Sequence, residues 1–249
     1  MIVFNILCYI IFMMFGACIG SFVTMLTHRL PKKEEIIFTR SHCPKCGKEL
    51  KIKSLIPIFS FIIQKGKCLE CGQKISLRYL LIEIINSIAY GVLFYLFGLS
   101  FNCLYLCLLF SLILSIIVVD IEYLEIPMYL QFTFIFFAII YILFNPVDPI
   151  FSMISAVVYF LIVELARIIV EKIKKSDEVL GGGDTKIITI CGLFLTIKQL
   201  SLFFLIIGFF GCIFGLIWKV VKKDKIFPFA MPIVSGFFIL LVRYYLINQ

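Results

Sequence analysis

Charge is scarce in this sequence. Of 249 residues only 15% are charged, while 62% are hydrophobic. A soluble domain carries about 25% charged and about 45–50% apolar residues. A soluble protein of this length could not hide the surplus apolar surface, and the same excess excludes disorder. Mean hydropathy is +1.11, so the solvent for this chain is a bilayer. Other features are missing too. There is no tandem repeat and no glycine-rich cofactor loop on a strand-to-helix turn. No basic segment precedes the first apolar run, so the N-terminus reads as a first span rather than a cleavable signal. Trp occurs once against 28 Phe, a balance that fits lipid-facing and interhelical packing. In a soluble protein the net charge of +8 would suggest nucleic acid. Here basic loops retained on one side of a membrane account for it, and no nucleic-acid partner is expected.

What is present is a series of eight apolar stretches, at residues 2–26, 80–99, 101–119, 127–144, 150–170, 187–197, 200–220 and 229–247. A spanning helix needs about 20 mostly apolar residues. The sixth stretch is short for that, which a start near Thr185 or a tilted or broken helix would explain. All are expected to be helical, because an open strand edge cannot be satisfied in lipid. The fold class is therefore an all-α membrane protein of about eight transmembrane helices. Gly16 and Gly20 lie four apart in the first stretch, the spacing of close helix approach.

Lys and Arg in the linkers set the orientation. Ten lie in the first linker, from Lys32 to Lys74. None lies at 98–100 or at 145–148. Lys172, Lys174 and Lys175 follow the fifth stretch, Lys198 alone follows the sixth, and Lys219, Lys222, Lys223 and Lys225 follow the seventh. Basic linkers thus alternate with basic-poor ones, apart from an acidic turn after the third stretch. Eight spans with both termini outside satisfy the positive-inside rule.

The first linker is too short to hold a core without a staple. It contains Cys43-Pro44-Lys45-Cys46 and Cys68-Leu69-Glu70-Cys71, with 21 residues between the pairs and a glycine, Gly47 or Gly72, after each. Two such knuckles can present four thiolates tetrahedrally to zinc. Lys45, Lys48, Lys67 and Lys74 would offset part of the thiolate charge. Orientation puts the loop in a reducing compartment, where disulfides are disfavoured. The fold therefore includes a small cytoplasmic zinc-binding loop. Cys8, Cys18, Cys103, Cys107, Cys191 and Cys212 sit in apolar stretches and behave as small hydrophobes. His42 adjoins Cys43 but reads as a solvated surface residue.

Two aspartates mark the same membrane face. Asp120 ends the third stretch, and Asp184 opens the sixth in Gly181-Gly182-Gly183-Asp184-Thr185-Lys186. Two nearby carboxylates share a proton. The ionised one can activate water while the protonated one donates to a scissile carbonyl oxygen, which is peptide hydrolysis without a metal. Singly, Asp184 also reads as a helix N-cap and Asp120 as a span end. The three glycines would let backbone approach an extended substrate. Lys186 would bind lipid or a substrate carboxylate. Glu122 and Glu125 beside the site, with Asp177 and Glu178 on the neighbouring loop, would attract a basic segment. Glu83 and Glu164 lie within apolar runs and are expected to pair with Arg78 and Arg167.

Taken together these residues resemble the type IV prepilin peptidase family. The resemblance begins at Gly20-Ser21-Phe22 and His28-Arg29-Leu30-Pro31. It runs through the two cysteine pairs, Ile75-Ser76-Leu77-Arg78-Tyr79 and Glu83 to Asp120 with Ile126-Pro127. It ends in Gly181-Gly182-Gly183-Asp184-Thr185-Lys186 and the stretch Pro228-Phe229-Ala230-Met231-Pro232. Thr24 stands where the family often has Asn, Met128 follows Pro127 where Asp is common, and the last proline motif has one extra residue. The resemblance implies an eight-helix aspartic protease with Asp120 and Asp184 as its catalytic pair. Such an enzyme cuts the basic leader from prepilins or pseudopilins on the cytoplasmic side of the cell membrane. It commonly also N-methylates the new terminus with S-adenosylmethionine. The implied organisation is a first transmembrane helix (1–28), a zinc loop with a possible methyltransferase role (29–79) and a seven-helix peptidase core (80–249). The contrasting reading is a non-catalytic membrane assembly protein of a pilus or secretion system, whose zinc loop docks a partner. It explains the knuckles but leaves Gly181-Gly182-Gly183-Asp184 unexplained. A transporter reading lacks the repeat symmetry many transporters show.

Overall fold

The computed structural model describes residues 2–36, 38–174, 181–221 and 227–248. Lys175, Asp177, Glu178, Lys222, Lys223 and Lys225 lie outside them. Among the described residues the regular elements are α1 (Ile2–Arg29), α2 (Phe59–Ile63), α3 (Leu77–Phe97), α4 (Phe101–Tyr123), α5 (Met128–Phe144), α6 (Pro149–Lys174), α7 (Gly182–Phe194), α8 (Leu200–Val221) and α9 (Ala230–Ile247). Single 3₁₀ turns lie at Ile52–Ser54 and Ile197–Gln199.

All eight apolar stretches form helices, but among the described residues six of these helices are long and apolar enough to cross a membrane by themselves. The exceptions are α5, with 17 residues, and α7, with 13. At 1.5 Å per residue α7 reaches only about 20 Å, against a hydrocarbon core of about 30 Å. Its composition fits that short reach. Ile187, Ile188, Ile190, Cys191 and Phe194 are all buried, so protein rather than lipid surrounds most of this helix.

The chain forms two compact units, Met1–Ser115 and Ile116–Gln249. In the first, α1 packs closely on α3. A Cβ on Gly16 would come within 2.8 Å of the Tyr90 side chain, and one on Gly20 within 2.9 Å of the Glu83 Cα. The glycine spacing therefore serves backbone contact, as expected. A buried polar chain fixes the register. Asn86 Nδ2 donates to the Gly16 carbonyl (2.7 Å), Ser111 Oγ donates to Asn86 Oδ1 (3.0 Å), and Ser87 Oγ donates to the Met13 carbonyl (2.9 Å). Such bonds average about 0.6 kcal/mol each within a membrane. Their larger effect is directional, since only one rotation of α3 satisfies all three. Below them the Arg78 guanidinium donates to Thr27 Oγ1 (2.7 Å) and the Thr24 carbonyl (3.3 Å).

In the second unit α7 packs against α5, α6 and α9. Phe134, Phe194 and Phe237 meet with ring centroids 4.9–5.4 Å apart. A Cβ on Gly192 would lie 2.8 Å from the Ala156 Cα, so α6 and α7 touch through backbone. The Arg167 guanidinium on α6 bonds Glu164 and lies 3.6 Å from Glu171, which places the expected Glu164 pairing.

Candidate active site

The second unit brings Asp120 and Asp184 to one cavity of about 330 Å³. Asp120 sits in the last turn of α4 and is 5% exposed; Asp184 is 9% exposed. The chain turns sharply after Asp120. The Leu124 N–H closes on the Asp120 carbonyl (2.9 Å), and Leu124 itself adopts φ 55°, the left-handed cap that ends a helix. The Asp120 carboxylate is fixed by an element far along the sequence. Its Oδ2 accepts the backbone N–H of Ala230 at 2.9 Å, and Ala230 is the first residue of α9. The positive end of a helix dipole thus meets a carboxyl oxygen. The Pro228-Phe229-Ala230-Met231-Pro232 stretch supplies this N–H, and nothing in its composition alone announces it.

Asp184 stands in the first turn of α7, after the N-cap Gly181. Its own N–H donates to the Gly181 carbonyl (3.0 Å). Gly181 is extended, with φ −61° and ψ 137°, so the glycine requirement here is steric rather than conformational. A Cβ at this position would lie 3.2 Å from Asp184 Oδ2. Gly182 faces open space, and a Cβ on Gly183 would make ordinary contact with Ile126.

Gly181, Gly182, Gly183, Lys186 and Glu125 line the cavity with the two aspartates. Lys186 therefore shares the site rather than pointing away from it. Glu122 is exposed on the same turn and is not part of the lining. Sequence reasoning missed Gln131, which also lines the cavity. Its Nε2 donates to the Ile126 carbonyl (2.8 Å), fastening the turn between α4 and α5. An amide at a helix position within an apolar run was the available signal.

The first unit holds the four cysteines. The sulfurs of Cys43, Cys46, Cys68 and Cys71 all lie within 4.8 Å of one another, a spacing that could hold a metal ion. The knuckles are built alike. Cys43 N–H donates to the Lys48 carbonyl (2.9 Å) and Cys68 N–H to the Gln73 carbonyl (2.8 Å). Gly47 and Gly72 both take φ 69°, which is why each pair is followed by glycine. The N–H of Cys46, then that of Lys45, lowers the Cys43 thiol to about 7. Cys71 shifts the other way, to about 11: the Gln73 N–H lowers it, but burial and the three neighbouring thiols outweigh that. Four crowded sulfurs cannot all ionise without a cation among them. Lys48 is engaged elsewhere, donating to Glu70 Oε2 (2.9 Å) and so linking one knuckle to the other. His42 is exposed, its Nδ1 lies 3.2 Å from the Arg40 carbonyl, and it stands outside the cysteine group. Arg29, 6% exposed, anchors the loop's entry by donating to the carbonyls of Glu35, Thr39 and Arg40.

Residues 14–97 match the Bacterial Peptidase A24 N-terminal domain, and residues 107–216 match the Type IV leader peptidase family. A prepilin leader peptidase/N-methyltransferase of Bacillus subtilis (strain 168) is 31% identical over 231 residues, covering 91% of this chain and 90% of that protein. The chain belongs to the type IV leader peptidase family. Proteins of the same description from Vibrio cholerae (29% identical, 79% of this chain and 81% of theirs) and Neisseria gonorrhoeae (25%, 90% and 87%) extend the likeness over the family. No solved structure matches the chain. The family's two matched segments divide between residues 97 and 107, so the cysteine loop and the aspartate cavity fall in different segments.

Proposed function

We propose that this chain is a membrane aspartic endopeptidase that removes the leader of type IV prepilins or pseudopilins, and that it N-methylates the new N-terminus. The carrying observation is the meeting of Asp120 and Asp184, both buried, at one cavity in a chain of this family. The apolar segment of the prepilin stays in lipid, its scissile bond enters the cavity, and its basic leader meets Glu122 and Glu125. One carboxylate draws the proton from water while the other carboxyl donates to the carbonyl oxygen, so that the pair shares one proton through the cycle. The Ala230 N–H holds Asp120 in a single orientation for this. Lys186 and the glycine run position the substrate chain.

In this reading the site and the cysteine loop lie on the cytoplasmic side of the cell membrane, which the alternation of basic and basic-poor linkers supports. The four cysteines hold one structural zinc as a closed thiolate site. Bound S-adenosylmethionine would supply the methyl group. The methyl-transfer role belongs to the segment that carries the loop, and cleavage belongs to the segment that carries the aspartates.

The test is mass spectrometry of a prepilin incubated with the purified chain in lipid, with and without S-adenosylmethionine. Loss of the leader in both samples, and the added mass of one methyl group only with the donor, is the expected outcome. An uncut prepilin would leave the contrasting assembly role standing. Elemental analysis should find about one zinc per chain, and Cys43→Ser should lower that content while sparing cleavage.

A further inference from the structure

Between the knuckles lies a stretch that neither site uses. From Leu50 to Leu69 the chain carries Lys51, Lys53, Lys65 and Lys67 and no acid. The lysines bracket Leu55-Ile56-Pro57-Ile58-Phe59-Ser60-Phe61-Ile62-Ile63. Helix α2 occupies the end of this run and buries none of its residues. Phe59, Ile62 and Ile63 are 56%, 62% and 77% exposed, and Leu55 and Ile56 are exposed beside them. A contiguous apolar surface of this kind marks an interaction site.

Its depth is fixed by a buried carboxylate. The Ile58 N–H donates to Glu83 Oε2 at 2.7 Å, and Glu83 is 7% exposed. Glu83 lies six residues beyond Leu77, where α3 begins, or about 9 Å along the helix axis. That helix is one of the six apolar enough to cross a membrane. The inter-knuckle backbone is therefore clamped beside the spanning part of α3 rather than above its end. Ile58 adopts φ 62°, a conformation that a β-branched residue takes only under constraint.

Part of the backbone, around α2, also meets the condition that lipid imposes, since N–H groups there need partners within the protein. Pro57 has none to satisfy. Phe59 donates to the Pro57 carbonyl, Ser60 to that of Ile56, and Ile62 to that of Ile58. Beyond the helix, Gln64, Lys65 and Gly66 donate to Ser60, Ile62 and Phe61.

We infer that residues 55–63 form an interfacial wedge inserted into the leaflet that α3 enters, with Lys53, Lys65 and Lys67 beside it on anionic lipid headgroups, while Lys51 lies 3.6 Å from Glu70. The occupant is lipid because the apolar surface lies beside a candidate membrane span and the run itself is flanked by Lys53, Lys65 and Lys67 with no acid among residues 50–69. The wedge holds the cysteine knuckles against the membrane surface.

The full chain reconstituted in lipid nanodiscs provides the test. Trp218→Phe removes the one native tryptophan, and Phe59→Trp or Ile63→Trp then supplies a single reporter. Circular dichroism matching the parent protein establishes that each variant is folded. Emission should be blue-shifted, quenched at least about twofold by brominated acyl chains and little by aqueous acrylamide, with stronger bromolipid quenching in anionic than in zwitterionic bilayers. Water-like emission quenched by acrylamide would overturn the wedge. So would a blue shift that appears only when a prepilin is added, which would make the patch a protein-docking surface. Bromolipid quenching that ignores lipid charge would overturn the headgroup role of the lysines. None of these readouts depends on cleavage, so failure here is separate from failure of the proposed enzyme activity.

Discussion

At the residue scale the site depends on how its carboxylates are held. Asp120 and Asp184 were legible in the sequence because an acid at the edge of an apolar run is costly and calls for a reason. The Ala230 N–H that fixes Asp120 was not legible, since a backbone donor 110 positions away leaves no side-chain signature. The glycines divide on inspection. Gly181 has the Asp184 carboxylate against it, whereas Gly182 has open space. Gly181→Ala should therefore crowd the Asp184 carboxyl by a few tenths of an ångström and lower leader removal by roughly a few-fold, less than the about 10²-fold that a full 1 Å misplacement can cost. Gly182→Ala should leave thermal stability in detergent unchanged or slightly raised, as expected of alanine in a helical turn. Equal loss of cleavage with wild-type substrate affinity in both variants would contradict the steric account of Gly181.

At the scale of elements, periodicity and length predicted most of the helices, and spacing predicted the knuckles. Two things escaped that reading. Helix α7 begins at Gly182, before the apolar run itself, because the chain turns helical at the Gly181 cap. The inter-knuckle run is too short to be a span, yet Glu83 holds Ile58 beside α3. The α1–α3 pair shows where spacing alone sufficed. Gly20 sits 2.9 Å, in Cβ terms, from the Glu83 Cα, so Gly20→Leu must push the helices apart. Its expected cost is about 1–3 kcal/mol by overpacking, read as a lower midpoint in denaturation of the reconstituted protein. Because Asn86 and Ser111 lie in the same unit, Asn86→Leu should destabilise too, by about 1–2 kcal/mol. A wild-type midpoint for Gly20→Leu would mean that α1 does not lie on α3 as described.

For the whole molecule, composition alone pointed to a helical membrane protein, and linker charges carry its proposed orientation. Helix count was less legible, because a helix buried in protein, as α7 is, needs neither the length nor the lipid-facing surface of a span. The orientation makes a direct prediction. A reporter fused after Lys33 should read cytoplasmic and one after Ser100 external, and the opposite pattern would remove the cytoplasmic placement of the site. The central claim is that Asp120 and Asp184 act as one proton-sharing unit. It is tested most directly by the rate of leader removal from a prepilin with Asp120→Asn, Asp184→Asn and the double variant, each with wild-type helix content. Asparagine keeps the shape but cannot exchange the proton. Each single variant should lose at least about 10²–10⁴-fold in rate, and the double variant should lose little more, as expected for groups that act together. Near-normal cleavage by either folded single variant would contradict the account.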